Sequence, residues 1–329
     1  MLSITDADRI LQLYHLPGKA QIVTPLQETI MKEERRLIYR VETSNCGKWV
    51  CRLTRETAFP RRLIEQQSQF AMMLYDNGIL TPWKAQSDGQ FCVEMYVEGL
   101  AYHVTVESYL EGRQTPPSPT PVTEFGKLIG KTHVLSKKFR ADIDFSVIGN
   151  AIASGKARLS TILSFSNTPI PDTPSVRYAA TLHDNLILKL STVWRKLPQG
   201  RVHGDLGIFN NIIYTKSGMG IIDFNLSGKE AYLADAMSAY YSSCHKCEES
   251  AFGDNELCDF LSGYASEYRF CDSERRAFSS LAALFDGLYF CKKIIQRWNA
   301  NPNMDVLMSF QDAPRHFSPN RHIFQIGTD

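Results

Sequence analysis

The chain has 329 residues, 43% of them apolar and 22% charged, with a formal net charge of +1. This is the composition of a folded soluble protein and excludes a disordered chain. The length suits one large domain or two lobes, and the small net charge argues against a nucleic-acid binder. No stretch approaches a membrane span: the most apolar window, SSLAALFDGLYFC, is broken by Asp286.

The N-terminal MLSITDADRILQLYHL carries charges of both signs and no apolar core segment. It does not read as a signal peptide, and a cytoplasmic location is expected. RLIYRVET (36–43) alternates, with Leu37, Tyr39 and Val41 opposite Ile38, Arg40 and Glu42. SNCG supplies a turn, and KWVCRLT (48–54) alternates again, which predicts a β-hairpin. Thr57 and Pro60 open a helix through RRLIEQQSQFAMMLYDNG, ended by Gly78. QFCVEMYVEG (90–99) and YHVTVESYL (102–110) return to strand. The Pro- and Thr-rich EGRQTPPSPTPVTEF (111–125) is a connector, beyond which the helical period dominates. The predicted helices include FGKLIGKTHVL (125–135), one within 175–197, and the tail ELCDFLSGYASEYRF with ERRAFSSLAALFDGLYFCKKIIQRW.

Eight cysteines, Cys46, Cys51, Cys92, Cys244, Cys247, Cys258, Cys271 and Cys291, read as reduced thiols and core fillers. The CHKC at 244–247, with Cys258 and either Cys271 or His245, is a weak zinc-knuckle signal.

RVHGDLGIFNNIIYTKSGMGIIDFN (201–225) sets two polar islands around apolar runs. NIIY and GMGIIDF read as a strand pair joined by TKSG, so Asp205 and Asn210 precede a hairpin and Asp223 follows it. A hairpin returns its ends to nearly one place, so these groups are expected to converge. Crowded carboxylates resist joint ionisation unless a cation such as Mg²⁺, which prefers hard oxygen ligands, sits among them.

His203-Gly204-Asp205, Asn210 and Ile221-Ile222-Asp223-Phe224 together resemble the catalytic loop and metal-binding motif of the kinase superfamily. The pattern HGDLxxxN…IIDF is most similar to the aminoglycoside phosphotransferase/choline kinase family, which also includes homoserine kinase-like and methylthioribose kinase-like enzymes. The resemblance implies an α+β, bilobal protein-kinase-like fold. A small antiparallel β-sheet lobe with one helix (1–110) would bind nucleotide, and a larger, mainly α-helical lobe (111–329) would carry catalysis and the substrate.

The same resemblance implies the roles of the residues. Asp205 would be the catalytic base or would orient the acceptor hydroxyl, while Asn210 and Asp223 would hold Mg²⁺ on the ATP phosphates. Asn211 stands as the alternative ligand to Asn210. His203 would buttress the loop and Asp235 would brace it from beneath. Arg52 occupies the strand position that usually holds a phosphate-binding lysine, and Val50 would cover the adenine. Glu65 would pair with Arg52, and the backbone of Glu107 to Tyr109 would meet the adenine edge. No glycine-rich loop precedes the hairpin, since IMKEERRLIYR lacks glycine.

After Asp223 the sequence FNLSGKEAYLADAMSAYY reads as entering a helix at once, with no activation segment of the protein-kinase kind. That favours a small-molecule hydroxyl acceptor over a peptide. The acidic stretch 245–260 and the rings of Tyr240, Tyr241 and Trp298 suit a cationic acceptor, or else are a solvated loop and core aromatics. The reading is an ATP- and Mg²⁺-dependent phosphotransferase, monomer or homodimer, without nucleic-acid or membrane partners. The alternative is a catalytically weak or inactive kinase-like nucleotide-binding regulatory protein, favoured by Arg52 and the missing glycine loop.

Overall fold

The computed structural model describes residues 2–31, 34–55, 59–139, 143, 145–155, 166, 169–246 and 254–322. They divide into two compact units. The first comprises Met1–Thr115, Ile143–Phe145 and Ile213–Ser227; the second comprises Pro116–Asp142, Ser146–Ile212 and Gly228–Asp329. Among the described residues no helix is long and apolar enough to cross a membrane. Thr57, Cys247, Glu248 and Glu249 lie outside the described residues.

The first unit is built on the hairpin predicted from alternation. Strands β2 (Glu34–Thr43) and β3 (Lys48–Arg55) pair in the register Leu37 with Leu53, Tyr39 with Cys51 and Val41 with Trp49. Alternation therefore sends these side chains to one face, and Ile38, Val50 and Arg52 to the other. β4 (Val93–Val97) and β5 (Leu100–Ser108) form the second predicted pair, and β5 docks on β3. The sheet is antiparallel throughout, in the order β1-β2-β3-β5-β4.

Two elements of this unit go beyond the expected sheet with one helix. β1 (Ala20–Met31) adds an edge strand, with a register irregularity at Pro25 and Gln27. A second helix, α1 (Ile4–Leu13), is capped by Ser3, whose hydroxyl accepts from the Asp6 amide at 3.0 Å. Its Ala7, Ile10 and Leu11, with Tyr14, close over Leu37, Tyr39, Val41, Cys51 and Leu53 in one apolar core. α2 (Arg61–Asp76) is the helix expected from sequence, and Leu63, Phe70 and Leu74 are buried on it.

The segment after β5 also returns to this unit. β7 (Ile212–Thr215) and β8 (Gly218–Ile221) form the expected hairpin. The Ile221 amide donates to Leu80 O at 2.8 Å, and Phe224 meets Phe70 edge-on at 6.1 Å between ring centroids.

The second unit is mainly helical: α3 (Val122–Ser136), α4 (Pro174–Trp194), α5 (Tyr232–Lys246), α6 (Asp254–Glu267) and α7 (Asp272–Ala300). α3 and α6 approach backbone to backbone. A Cβ on Gly263 would lie 1.9 Å from Thr123 O, and one on Gly126 2.0 Å from Phe260 O. The chain does not pass from Asp223 straight into a helix. A 3-10 turn (Phe224–Leu226) and a short strand β9 (Gly228–Ala231) intervene, and β9 pairs antiparallel with β6 (Gln199–Val202). Gly200 lets Tyr232 approach this ladder closely: a Cβ there would lie 1.9 Å from the Tyr232 hydroxyl.

Candidate active site

In the second unit, β6 delivers the chain into HGDLGIFNN. Gly204 takes φ 83°, where its missing side chain avoids the left-handed penalty, and its amide donates to Asp235 Oδ1 at 3.0 Å. Asp235 Oδ2 lies 3.0 Å from His133 Nε2, and His133 Nδ1 lies 2.9 Å from the Tyr264 hydroxyl. Asp235 and His133 are both buried. This relay fixes the loop to α3, α5 and α6, because a buried carboxylate requires donors on its oxygens. His203 is also buried, and its Nδ1 accepts from the Asp205 amide at 3.4 Å.

The loop then closes on itself. Gly207 and Asn210 exchange backbone hydrogen bonds of 3.0 and 2.7 Å, and the Ile208 amide donates to Ser243 Oγ at 2.8 Å. The turn brings both asparagines onto Asp205. Asn210 Nδ2 and Asn211 Nδ2 donate to Asp205 Oδ2 at 3.2 and 3.1 Å, and to its carbonyl at 3.3 and 2.8 Å. Asn211 holds φ 62°, a conformation that asparagine tolerates better than most residues. Asp205 Oδ1 makes no hydrogen bond among the described residues. The Tyr289 hydroxyl, 2.9 Å from Ser238 Oγ, has its pKa raised to about 12 by burial and then by the negative charges of Asp205 and Asp235.

In the first unit, Arg52 is buried on β3 beside Val50, which is also buried. Its Nη2 and Nε donate to Glu107 Oε1 at 3.1 and 3.2 Å, and its Nη1 donates to Asp223 Oδ1 at 3.1 Å. Lys84 Nζ is hydrogen-bonded to the other oxygen of Glu107. Two cations and two carboxylates thus balance, as buried charges must. Burial alone would raise the Glu107 pKa, but Lys84 and then Arg52 pull it below its ordinary value of 4.5. Asp223 holds φ 62°, an uncommon conformation for a residue with a side chain and one that clusters at functional positions.

Two expectations are corrected here. Glu65 does not pair with Arg52: its carboxylate accepts from the Phe91 and Cys92 amides at 3.1 and 2.6 Å, donors left over where the chain enters β4. The partner of Arg52 is instead Glu107, through its side chain rather than its backbone. The Tyr109 amide, expected at an adenine edge, donates to Lys48 O at 3.0 Å because β5 continues its ladder past Ser108. Lys84 escaped the sequence reading altogether. It stands alone in TPWKAQ, where no periodicity marks it.

Tyr240, Tyr241 and Trp298 are buried core residues, which answers to the core-aromatic reading. Cys258 and Cys271 are exposed. Among the described residues the group of metal-ligating side chains that converges is His245, Asp286 and His316, and it contains no cysteine.

No curated protein matches the sequence. Several solved kinases share the fold. An amicoumacin kinase in complex with AMP-PNP and Ca²⁺ is 15% identical, covering 98% of this chain and 96% of its own, with a TM-score of 0.67. A microcompartment-associated aminopropanol kinase is 14% identical, covering 96% and 95%, with a TM-score of 0.65. A choline kinase from Streptococcus pneumoniae is 16% identical, covering 96% and 99%, with a TM-score of 0.53. The family model described as phosphotransferase enzyme family, APH, matches residues 32–278, most of both units, and the chain therefore belongs to the phosphotransferase enzyme family.

Proposed function

We propose that the protein transfers the γ-phosphoryl group of ATP, with Mg²⁺, to a hydroxyl of a small molecule such as an aminoglycoside or an amino alcohol. The observation that carries this reading is Asp205. One of its carboxylate oxygens is held by two side-chain amides on a loop braced through Gly204 by Asp235, and the other is left open. A carboxylate so positioned accepts or orients the proton of an attacking hydroxyl. Arg52 is proposed for the phosphates and Val50 for the adenine face. Asp223 with Asn210, or Asn211 in its place, is proposed to hold Mg²⁺.

The donor set fits the metal: a carboxylate and amide groups are the hard oxygen ligands that Mg²⁺ takes. Bound there, Mg²⁺ supplies neutralisation of phosphate charge. Arg52 contributes fixed positive charge beside Asp223. Asp235 and His203 hold the loop and do no chemistry. The short passage from Asp223 through one turn and β9 into α5 leaves no long segment to support a peptide, which favours a small acceptor. Amino alcohols are the acceptor class in the names of the aminopropanol and choline kinases.

One observation favours the alternative of a nucleotide-binding protein with little turnover. Arg52 replaces the usual lysine and is already engaged by Glu107 and Asp223. A single experiment separates the two: ATP turnover over a panel of alcohols and amino alcohols, wild type against Asp205→Ala. Turnover in the wild type that falls by about 10²–10⁴ in the variant is expected. Equal rates in the two proteins would remove Asp205 from catalysis, and nucleotide binding without turnover or metal dependence would establish the alternative.

A further inference from the structure

The histidine of the CHKC segment meets a carboxylate and a second histidine. His245, in the last turn of α5, places Nε2 2.8 Å from Asp286 Oδ1, in the middle of α7. His316, at the end of the short helix Ala313–His316, places Nδ1 3.0 Å from the same oxygen. The three ligand atoms lie within 4.8 Å of one another. A third imidazole lies beside the same carboxylate: His322 Nε2 is 3.5 Å from Asp286 Oδ2. His322 is only 3% exposed, and this nitrogen has no hydrogen-bond partner. The other ring nitrogen of His322 lies 3.0 Å from the Tyr241 hydroxyl.

We propose that His245, Asp286 and His316 form a binding site for a divalent d-block cation of the zinc class, beside the buried His322 and separate from the magnesium of phosphoryl transfer. The ligand chemistry selects the metal. Two imidazole nitrogens and one carboxylate oxygen, with a fourth position left for water, are a zinc donor set, whereas Mg²⁺ requires oxygen ligands. Tetrahedral bonds of about 2.0–2.2 Å need ligand atoms on the order of 3.4 Å apart; the three present lie within 4.8 Å of one another, with His245 Nε2 and His316 Nδ1 at 2.8 and 3.0 Å from Asp286 Oδ1.

The surroundings are those of a metal centre. Tyr241 engages the second nitrogen of His322 and holds that buried ring beside the site. Arg321 Nη1, 3.5 Å from Asp286 Oδ2, occupies the carboxylate oxygen that a monodentate ligand leaves over. Phe290 stacks on His316 at 3.9 Å between centroids and walls one side with an apolar ring. The site ties the end of α5 and the segment 313–322 to α7. Two of its three ligands lie beyond residue 278, where the family match ends.

The test uses the full chain, stripped with chelator and returned to buffer containing Mg²⁺. Calorimetric titration with Zn²⁺ is expected to show one ion per chain and a rise in Tm. Affinity is expected to fall at least about tenfold in both Asp286→Asn and His316→Gln, while Cys244→Ser/Cys247→Ser keeps it. Should a variant fail to fold, the wild-type Co²⁺ spectrum decides alone. Intense tetrahedral d–d bands without sulfur-to-cobalt charge transfer are expected. No Zn²⁺ uptake, uptake lost only in the cysteine variant, or a sulfur charge-transfer band would overturn the proposal.

Discussion

Glu107 shows how much one buried side chain organises. It is 3% exposed and carries Arg52 on one oxygen and Lys84 on the other. Replacing it by glutamine leaves two buried cations sharing the single negative charge of Asp223. Breaking a buried pair in this way costs about 3–5 kcal/mol. Glu107→Gln is therefore expected to shift the urea midpoint down at pH 7 without changing the slope. The pH dependence follows from the lowered pKa. A carboxylate depressed in the folded state stabilises above its unfolded value of 4.5, and that contribution is lost as pH falls through the folded value. The acid limb of the stability profile is expected to be shallower in the glutamine variant; an unchanged limb would assign acid unfolding to other groups. Arg52 was legible from sequence because strand alternation places it, whereas Lys84 and the partners of Glu107 and Glu65 were not. Alternation names the face on which a side chain lies but not the partner brought there by another element. Glu65 answers to two amides 26 and 27 residues away, and Lys84 to a carboxylate 23 residues on.

At the scale of elements, the contact of α3 with α6 supports the loop that carries Asp205. Gly126 and Gly263 let the helices approach until backbone meets backbone, and α3 then carries His133 to Asp235 and Tyr264. In an isolated helix, glycine to alanine gains about 1 kcal/mol. Here a Cβ on Gly263 would meet a carbonyl at 1.9 Å, which no side-chain rotation relieves. Gly263→Ala is expected to be destabilising by about 1–3 kcal/mol in chemical denaturation, the usual range for overpacking. Stabilisation would mean that the helices separate without loss. The long helices were legible because their period repeats over many residues. α1 and β1 were not read, for opposite reasons. α1 has a capping serine three residues before an acid, but it is only ten residues long and lies among charges. β1 carries Pro25 and several polar residues, features that belong to an edge strand and weaken its signal from sequence.

Across the whole chain, the motif HGD…N…D was legible because its members are close in sequence and the intervening hairpin forms as the turn residues require. The two units nevertheless hold separate parts of it. Arg52, Glu107, Lys84 and Asp223 belong to the first, and His203, Asp205, Asn210, Asn211 and Asp235 to the second. If the first set serves the nucleotide and the second the acceptor proton, substitutions in the two should separate in kinetics. Arg52→Lys keeps a positive charge but loses the planar fork that reaches Glu107 and Asp223 together. It is expected to raise the KM for ATP more than it lowers kcat. It should also reduce the thermal stabilisation by ATP, which for a tight site is about 2.7 kcal/mol at a hundredfold excess over Kd. Asp205→Asn is nearly isosteric, keeps the loop's shape and removes only the basic oxygen. It is expected to lower kcat by about 10²–10⁴ while the ATP-induced shift in Tm stays at the wild-type value. The opposite pattern, with Asp205→Asn abolishing ATP binding and Arg52→Lys leaving KM untouched, would reverse the assignment and make Asp205 the residue on which nucleotide binding depends.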